Sequence, residues 1–266
     1  MENLFAEQDT IEQLLNDVAT IAQALWERGW SERNAGNISL LLPDVLKDTR
    51  LSEETPLEKP FPNLEGKCFY MTGTGKRMHD IARSPLNNGL LVQIGESGKC
   101  FRAYKQNPAV KPTSELSSHL GIHNMISGRG TDETVVLHTH ATEVIALTQY
   151  SKIKSSDDVT RIVWGMHPET MIFIPKGVGL VPYMLPGTEA IALATIESFK
   201  NHDIVVWKKH GIFAIGKNIV ETFDNVDIVC KSAKIWFQCK SAGFEPEGMT
   251  DAQLDELREL VKKFNA

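Results

Sequence analysis

In the stretch VVLHTHATEVIALT, Val135 to Thr148, two histidines stand one residue apart at the end of an apolar run, just before the pattern turns helical. In an extended chain residues i and i+2 face the same way, so His138 and His140 present their imidazoles together while Thr139 turns aside. Two neutral imidazoles at a strand end supply half of a zinc site, in which histidine nitrogens sit about 2.0–2.1 Å from the ion. Two solvated histidines beside a turn are the alternative that this pair alone leaves open.

A third ligand is therefore needed. His210 lies between the apolar segments IVVW and GIFAIG, in a strand-turn-strand context. If both strands end at one sheet edge, it closes on His138 and His140 as a three-histidine set with open coordination positions, which is what catalytic zinc requires. Glu115, in PTSEL at the start of a helix, offers an oxygen ligand or a base. His119 and His123 follow Glu115 by four and eight residues on the same helical face and compete as ligands. No other metal-type residue accompanies them at the helix end, so they read as structural. His79, His167 and His202 have no motif around them.

The elements that must position these side chains follow from periodicity. Ile11, Leu14, Leu15, Val18, Ile21, Ala22 and Leu25 recur at helical spacing, which predicts an amphipathic helix capped by Asp9 or Thr10 and ending near Gly29. RNAGNISLLL passes from a turn into a strand, and the polar, proline-containing stretch from Leu41 to Pro62 reads as a loop and a candidate domain boundary. KCFYMTGTGK reads as a strand entering a Gly-rich turn, and GLLVQIGESGKCFRAYK as a hairpin around Glu96, Ser97 and Gly98. Pro112 followed by Thr113 or Ser114 as cap, with Glu115 in the first turn, opens the next helix. After VVLHTH come a helix over Ala141 to Gln149, a strand in TMIFIPK, a helix in GTEAIALATIESFK, the strand pair in DIVVWKKHGIFAIG and a long helical C-terminal region. Strands paired through tight turns and interleaved with helices imply an α/β protein whose mixed, mostly antiparallel sheet is covered by helices.

A chain of 266 residues with 42% apolar composition has enough material for one substantial domain. A formal charge of −6 excludes the extended basic surface that duplex nucleic acid demands, so no nucleic-acid partner is expected. Cys68, Cys100, Cys230 and Cys239 are scattered and show no Cys-x-x-Cys pairing, which points to reduced thiols rather than a disulfide framework. The opening MENLFAEQDTIEQLL is acidic and interrupted where a signal peptide is basic and then continuously apolar, and no stretch approaches the roughly 20 apolar residues of a membrane span. A cytoplasmic protein with no membrane partner is the expectation.

The series GWSERNAGNISL, MTGTGK, PTSELSSHLGIH, VVLHTHAT, IPKGVGLVPYMLPGTEAIA and VVWKKHG resembles the class II aldolase and adducin family, over nearly the full chain and in the same order. The resemblance implies a three-layer class II aldolase domain over residues 1–266, with residues 1–80 as a candidate mobile N-terminal subdomain. It implies one Zn2+ per subunit held by His138, His140 and His210, with Glu115 near the metal as the acid/base group. Glu169 matches the family position that serves the aldehyde side, from its own or a neighbouring subunit. A homotetramer of cyclic symmetry with sites near subunit boundaries is also implied. The implied reaction is retro-aldol cleavage of a small-molecule ketose 1-phosphate, L-rhamnulose 1-phosphate being the leading substrate. Another sugar-phosphate aldolase, an epimerase, a dehydratase or an adducin-like binding protein are the alternatives, and retention of the three histidines and Glu115 argues against the last. Gly-rich turns and helix starts present backbone N–H groups to anions, which makes Asn34, Asn37, Thr74, Gly75, Thr113 and Ser114 the phosphate-binding candidates, with Lys76 either adding charge or solvated. RNAGN departs from the Gly-Gly form of the family, so any role requiring a positive φ at Ala35 is open to question.

Overall fold

The computed structural model describes residues 8–43 and 51–264. Side-chain alternation decides the two faces of its sheet. In β6 (Val135–Thr139), Val135 and Leu137 pack into one helical layer while Val136 packs into the other. The same division holds in β3 (Cys68–Thr72), where Cys68 and Tyr70 face one layer and Phe69 and Met71 the opposite one. β8 (Ile204–Trp207) and β9 (Gly211–Gly216) repeat it, with Ile204, Val206, Ile212 and Ala214 on the first face and Val205, Trp207, Phe213 and Ile215 on the second. Fully burying a side chain such as Phe69 or Phe213 contributes about 1.5–3 kcal/mol, so this two-sided pattern fixes the register of every central strand.

The first face is covered by α1 (Gln8–Glu27), α5 (Thr142–Leu147), α6 (Ser156–Met166) and α9 (Ile219–Ser241), whose apolar stripes share one core with it. The second is covered by α4 (Leu116–Arg129) and α8 (Glu189–Ser198). The result is three layers. Among the described residues the sheet has nine strands, adding β1 (Asn37–Leu41), β2 (Thr55–Pro56), β4 (Gly89–Ile94), β5 (Cys100–Tyr104) and β7 (Val178–Val181), in the order β2-β5-β4-β3-β1-β6-β9-β8-β7. Every pair is antiparallel except β7 with β8. The mixed, mostly antiparallel sheet read from the sequence is therefore the observed one.

Several local readings are corrected. TMIFIPK is not a strand: α7 (Pro168–Phe173) places Pro168 in its first turn with Glu169 beside it, both favoured at helix starts, and buries Thr170 and Met171. The strand of that region is β7, which follows a turn at Gly177. Helix α6 is an addition to the elements expected, although its capping box is written in the sequence as Ser155 and Asp158. Asp9 and Thr10 stand inside α1 rather than capping it. The chain also adds α2 (Met78–Arg83) and α3 (Pro85–Asn88) after the Gly-rich turn, and α10 (Asp251–Phe264) as a separate C-terminal helix. The excursion expected between Leu41 and Pro62 lies partly outside the described residues, as does the N-terminal segment before Gln8.

β1 ties the histidine strand to the rest of the sheet. It lies between β3 and β6, and its register sets Asn37 opposite His138. The turn before it is shaped at Gly36, whose φ is +81° and where an added Cβ would lie 2.8 Å from the His138 carbonyl oxygen. Ala35 is not among the residues with positive φ, so that position makes no demand for glycine, while Gly36 is required by close approach.

Candidate active site

His138 and His140 leave β6 on the face that α4 and α8 cover, and His210 closes the three-residue turn between β8 and β9. Their ligand nitrogens all lie within 4.8 Å of one another. The rings meet edge to face, at centroid distances of 5.2 Å for His138 and His140 and 4.8 Å for His140 and His210. Second partners fix which nitrogens point inward. His138 donates from Nδ1 to the Ile212 carbonyl at 3.0 Å, and His140 Nδ1 lies 2.8 Å from a Glu32 carboxylate oxygen. Each arrangement leaves Nε2 as the free lone pair, the orientation that outer partners impose on metal-binding histidines. His138 Nε2 is buried and has no hydrogen-bond partner. An unsatisfied buried acceptor costs about 1–3 kcal/mol, and a cation held by the three rings removes that cost. Burial, reinforced by His140 and His210 for His138, holds the His138 imidazole well below its usual range, and burial lowers His210 to about 4, so both are neutral and ready to coordinate.

The turn that delivers His210 is tightly constrained. Trp207 pairs with Gly211, the His210 N–H donates to the Trp207 carbonyl at 3.0 Å, and Lys209 adopts φ +68° while its N–H donates to Thr148 Oγ1 at 2.9 Å. A Cβ at Gly211 would stand 2.5 Å from the Thr139 carbonyl oxygen and 3.0 Å from His138 Cε1, so only glycine lets the turn approach the other two histidines. Phe213 stacks on His138 at 4.1 Å and Trp207 flanks it, giving the trio an apolar back wall.

Glu115 joins this cluster from α4. Its carboxylate lies 3.9 Å from His138 Nε2 and accepts from Asn37 Nδ2 at 2.8 Å. Burial raises its pKa, opposed by the Asn37 hydrogen bond and by His140. The sequence pattern puts Glu115 in the first helical turn behind a Thr113 or Ser114 cap; the structure instead makes Glu115 the N-cap residue, with its N–H donated to Thr113 Oγ1 at 3.3 Å. Its side chain does not cap the helix and is free to face the histidines.

His119 and His123 do not join the trio. Ser39 Oγ lies 2.6 Å from His119 Nδ1 and 2.8 Å from His123 Nε2, and His119 Nε2 makes a short contact with Asn37 Oδ1. Burial lowers both imidazoles from an ordinary 6.5 to about 3, so they are neutral in the fold and basic once unfolded. Below pH about 6.5 the unfolded chain binds these protons and the native state does not, so stability is full above that pH and is lost as pH falls toward 3. Each residue supplies a slope of up to about 1.4 kcal/mol per pH unit. Urea denaturation of the metal-free protein at pH 7.5 and 5 should show the lower midpoint at pH 5, with a shallower dependence in His123→Asn; equal slopes in the two proteins would contradict the assignment.

The phosphate candidates lie on separate turns. Gly73 pairs with Pro112, and the Thr74 N–H donates to the Lys111 carbonyl at 2.9 Å, which ties the Thr74–Gly75 turn to the segment that leads into Thr113 and Ser114. Ser31, Glu32 and Arg33, next to Asn34, share a cavity wall with Arg77 and His79. Asn37 stands apart, because both ends of its amide are committed to Glu115 and His119. A second cavity, of about 500 Å3, opens beside Thr113, Ser114 and Glu115, and Lys59 and Glu189 pair on its wall at 3.2 Å. Glu169 is not brought to the cluster within this chain: its carboxylate pairs with His167 Nε2 at 3.0 Å on α7. Glu32 and Ser39 are functional neighbours that the sequence pattern does not single out. The only signal for Glu32 is the general need of a ligand histidine for an outer acceptor.

Residues 16–237 match the family described as Class II Aldolase and Adducin N-terminal domain. The chain is 37% identical over 262 residues, covering 97% of both sequences, to a protein of Bacteroides thetaiotaomicron named rhamnulose-1-phosphate aldolase. It is 32% identical to a Listeria monocytogenes protein of the same name, covering 92% of each. Among solved structures, a sugar-phosphate aldolase from Thermotoga maritima is similar with TM-score 0.78 and 28% identity, over 90% of this chain and 99% of that one. An L-fuculose 1-phosphate aldolase shares the fold with TM-score 0.64 at 19% identity, covering 98% and 99%.

Proposed function

We infer the reaction from the premise that the chain belongs to the class II aldolase and adducin family: it is a metal-dependent aldehyde-lyase that cleaves L-rhamnulose 1-phosphate to dihydroxyacetone phosphate and L-lactaldehyde. The observation that carries this reading is the orphaned, buried Nε2 of His138, aimed into a three-histidine cluster with Glu115 at 3.9 Å. Three imidazoles with an acidic neighbour suit Zn2+ better than Mg2+ or Ca2+, which take oxygen ligands, and one zinc per subunit is the proposed cofactor. When bound, the metal supplies Lewis-acid stabilisation of the negative charge that develops as the C3–C4 bond breaks. Glu115 returns the proton to C3, and burial, which raises its carboxyl above the usual range, favours that proton-carrying role. Asn34, Thr74, Gly75, Thr113 and Ser114 are the residues proposed to hold the phosphate; Asn37 joins them only by releasing Glu115.

The proton of the C4 hydroxyl falls to Glu169. Within one chain its ion pair is with His167 and it touches none of the three histidines, so it acts across a subunit boundary of a homotetramer. Among the described residues no helix is long and apolar enough to cross a membrane, which accords with the cytoplasmic setting proposed here. The test is aldehyde release by zinc-reconstituted protein from L-rhamnulose 1-phosphate, L-fuculose 1-phosphate and L-ribulose 5-phosphate. Lactaldehyde from the first with the highest kcat/KM supports the reading; an epimerised sugar phosphate without aldehyde overturns it. In Glu169→Gln, cleavage should fall at least about 100-fold while exchange of the C3 proton of dihydroxyacetone phosphate stays within several-fold, since exchange needs only the metal site and Glu115. Deuterium wash-in followed by NMR beside the aldehyde assay reads both, and equal loss of the two would remove Glu169 from this role.

A further inference from the structure

We propose that His119, itself held by Ser39, is a positioning residue that sets the Asn37 amide to donate to the Glu115 carboxylate. The proposal rests on the assignment of Glu115 to the reaction centre. Its basis is a polar seam inside an otherwise apolar layer. Asn37 and Ser39 are two residues apart on one face of β1, and His119 and His123 are four apart on one face of α4, so the two ladders oppose each other between sheet and helix. Ser39, His119 and His123 are buried, among Phe69 and Phe213.

The donor directions along the seam are determined from its end. A carboxylate only accepts, so Asn37 presents Nδ2 to Glu115 and is left with Oδ1 toward α4. That oxygen needs a donor, and His119 Nε2–H is the group against it. A neutral imidazole has one N–H, so His119 Nδ1 is then a lone pair and accepts from the Ser39 hydroxyl. Ser39 Oγ in turn accepts from His123 Nε2–H. With His119 in the other tautomer, Asn37 Oδ1 would lose its donor and the amide could turn its oxygen toward Glu115. The backbone closes the loop, because the His119 N–H donates to the Glu115 carbonyl at 3.0 Å and ties the seam to the residue it orients. An apolar substitution would fill this space equally well, whereas only a donor at the Nε2 position keeps Asn37 turned.

Two side-chain amides separate these roles. Glutamine at position 119 reaches the place of Nε2 with its N–H, and asparagine reaches only the place of Nδ1. In His119→Gln, kcat for aldehyde release should stay within about threefold of the wild type; in His119→Asn it should fall by about 10–100-fold, the range for outer-shell partners, with KM within about twofold and metal content unchanged. Thermal melting of both variants controls for packing. A merely structural histidine would lower kcat in both in step with stability, and that outcome overturns the proposal. Nitrogen-15 NMR of histidine-labelled, metal-free wild-type protein reads the tautomer without substrate, the His119 signals being assigned by their loss in His119→Gln. Protonation at Nε2 is expected, and protonation at Nδ1 overturns the proposal even if the cleavage reaction is as inferred. Failure to cleave L-rhamnulose 1-phosphate with the Nε2 tautomer intact would instead count against the function.

Discussion

Replacing any one of His138, His140 or His210 by alanine should strip the protein of most of its metal and lower cleavage by more than about 100-fold, beyond what loss of an outer-shell partner costs. Each ring supplies one of the nitrogens that lie within 4.8 Å of one another, and two imidazoles alone are half a site. Elemental analysis after dialysis gives the occupancy, and added zinc gives a second reading. A ligand bound only by the native state stabilises it by about 2.7 kcal/mol at 100 times its Kd, so the wild type should melt higher with zinc and the variants should not. Glu32→Gln belongs beside them as a milder control, because it weakens the acceptor for His140 Nδ1 without removing a ligand. Full zinc occupancy in any alanine variant would take that histidine out of the site.

The parts of this site that can be read from the sequence are those set by local parity. His138 and His140 share a face because strands alternate, and the same alternation sorts Val135, Val136 and Leu137 into two cores. The place of His210 is legible too, since IVVW and GIFAIG can only meet through a tight turn and so return it to the sheet edge. Long-range partners are not legible. Asn37 and Glu115 are 78 residues apart, and Glu32 and His140 are 108 apart; nothing in either neighbourhood announces the other. TMIFIPK misleads because a short apolar run suits a strand and a helix equally, and what decides it is Pro168 with Glu169 at a helix start, packed beneath Ser232 through Thr170. The cap of α4 fails for a different reason. Thr113 does accept a backbone N–H, but that of Glu115, so the cap falls on Glu115 itself, two residues after Thr113 and one after Ser114, and the carboxylate is turned toward the histidines.

Glu115→Gln tests the chemistry rather than the scaffold. Glutamine has nearly the volume of glutamate and keeps an oxygen to accept from Asn37 Nδ2, so the seam and the N-terminal turn of α4 should persist. The three histidines remain, and metal content should stay near the wild-type level. What is lost is the group proposed to exchange a proton with C3. A positioned acid/base contributes about 10²–10⁴ in rate, and cleavage should fall by that range. Exchange of the C3 proton of dihydroxyacetone phosphate should fall with it, because the same carboxyl serves both directions of that step. This joint loss contrasts with Glu169→Gln, where exchange survives, so the pair assigns the two protons to two carboxylates. If Glu115→Gln loses metal in parallel with rate, the carboxylate 3.9 Å from His138 Nε2 is chiefly a ligand. Near-native turnover at full occupancy would mean that the proton at C3 is carried by another group.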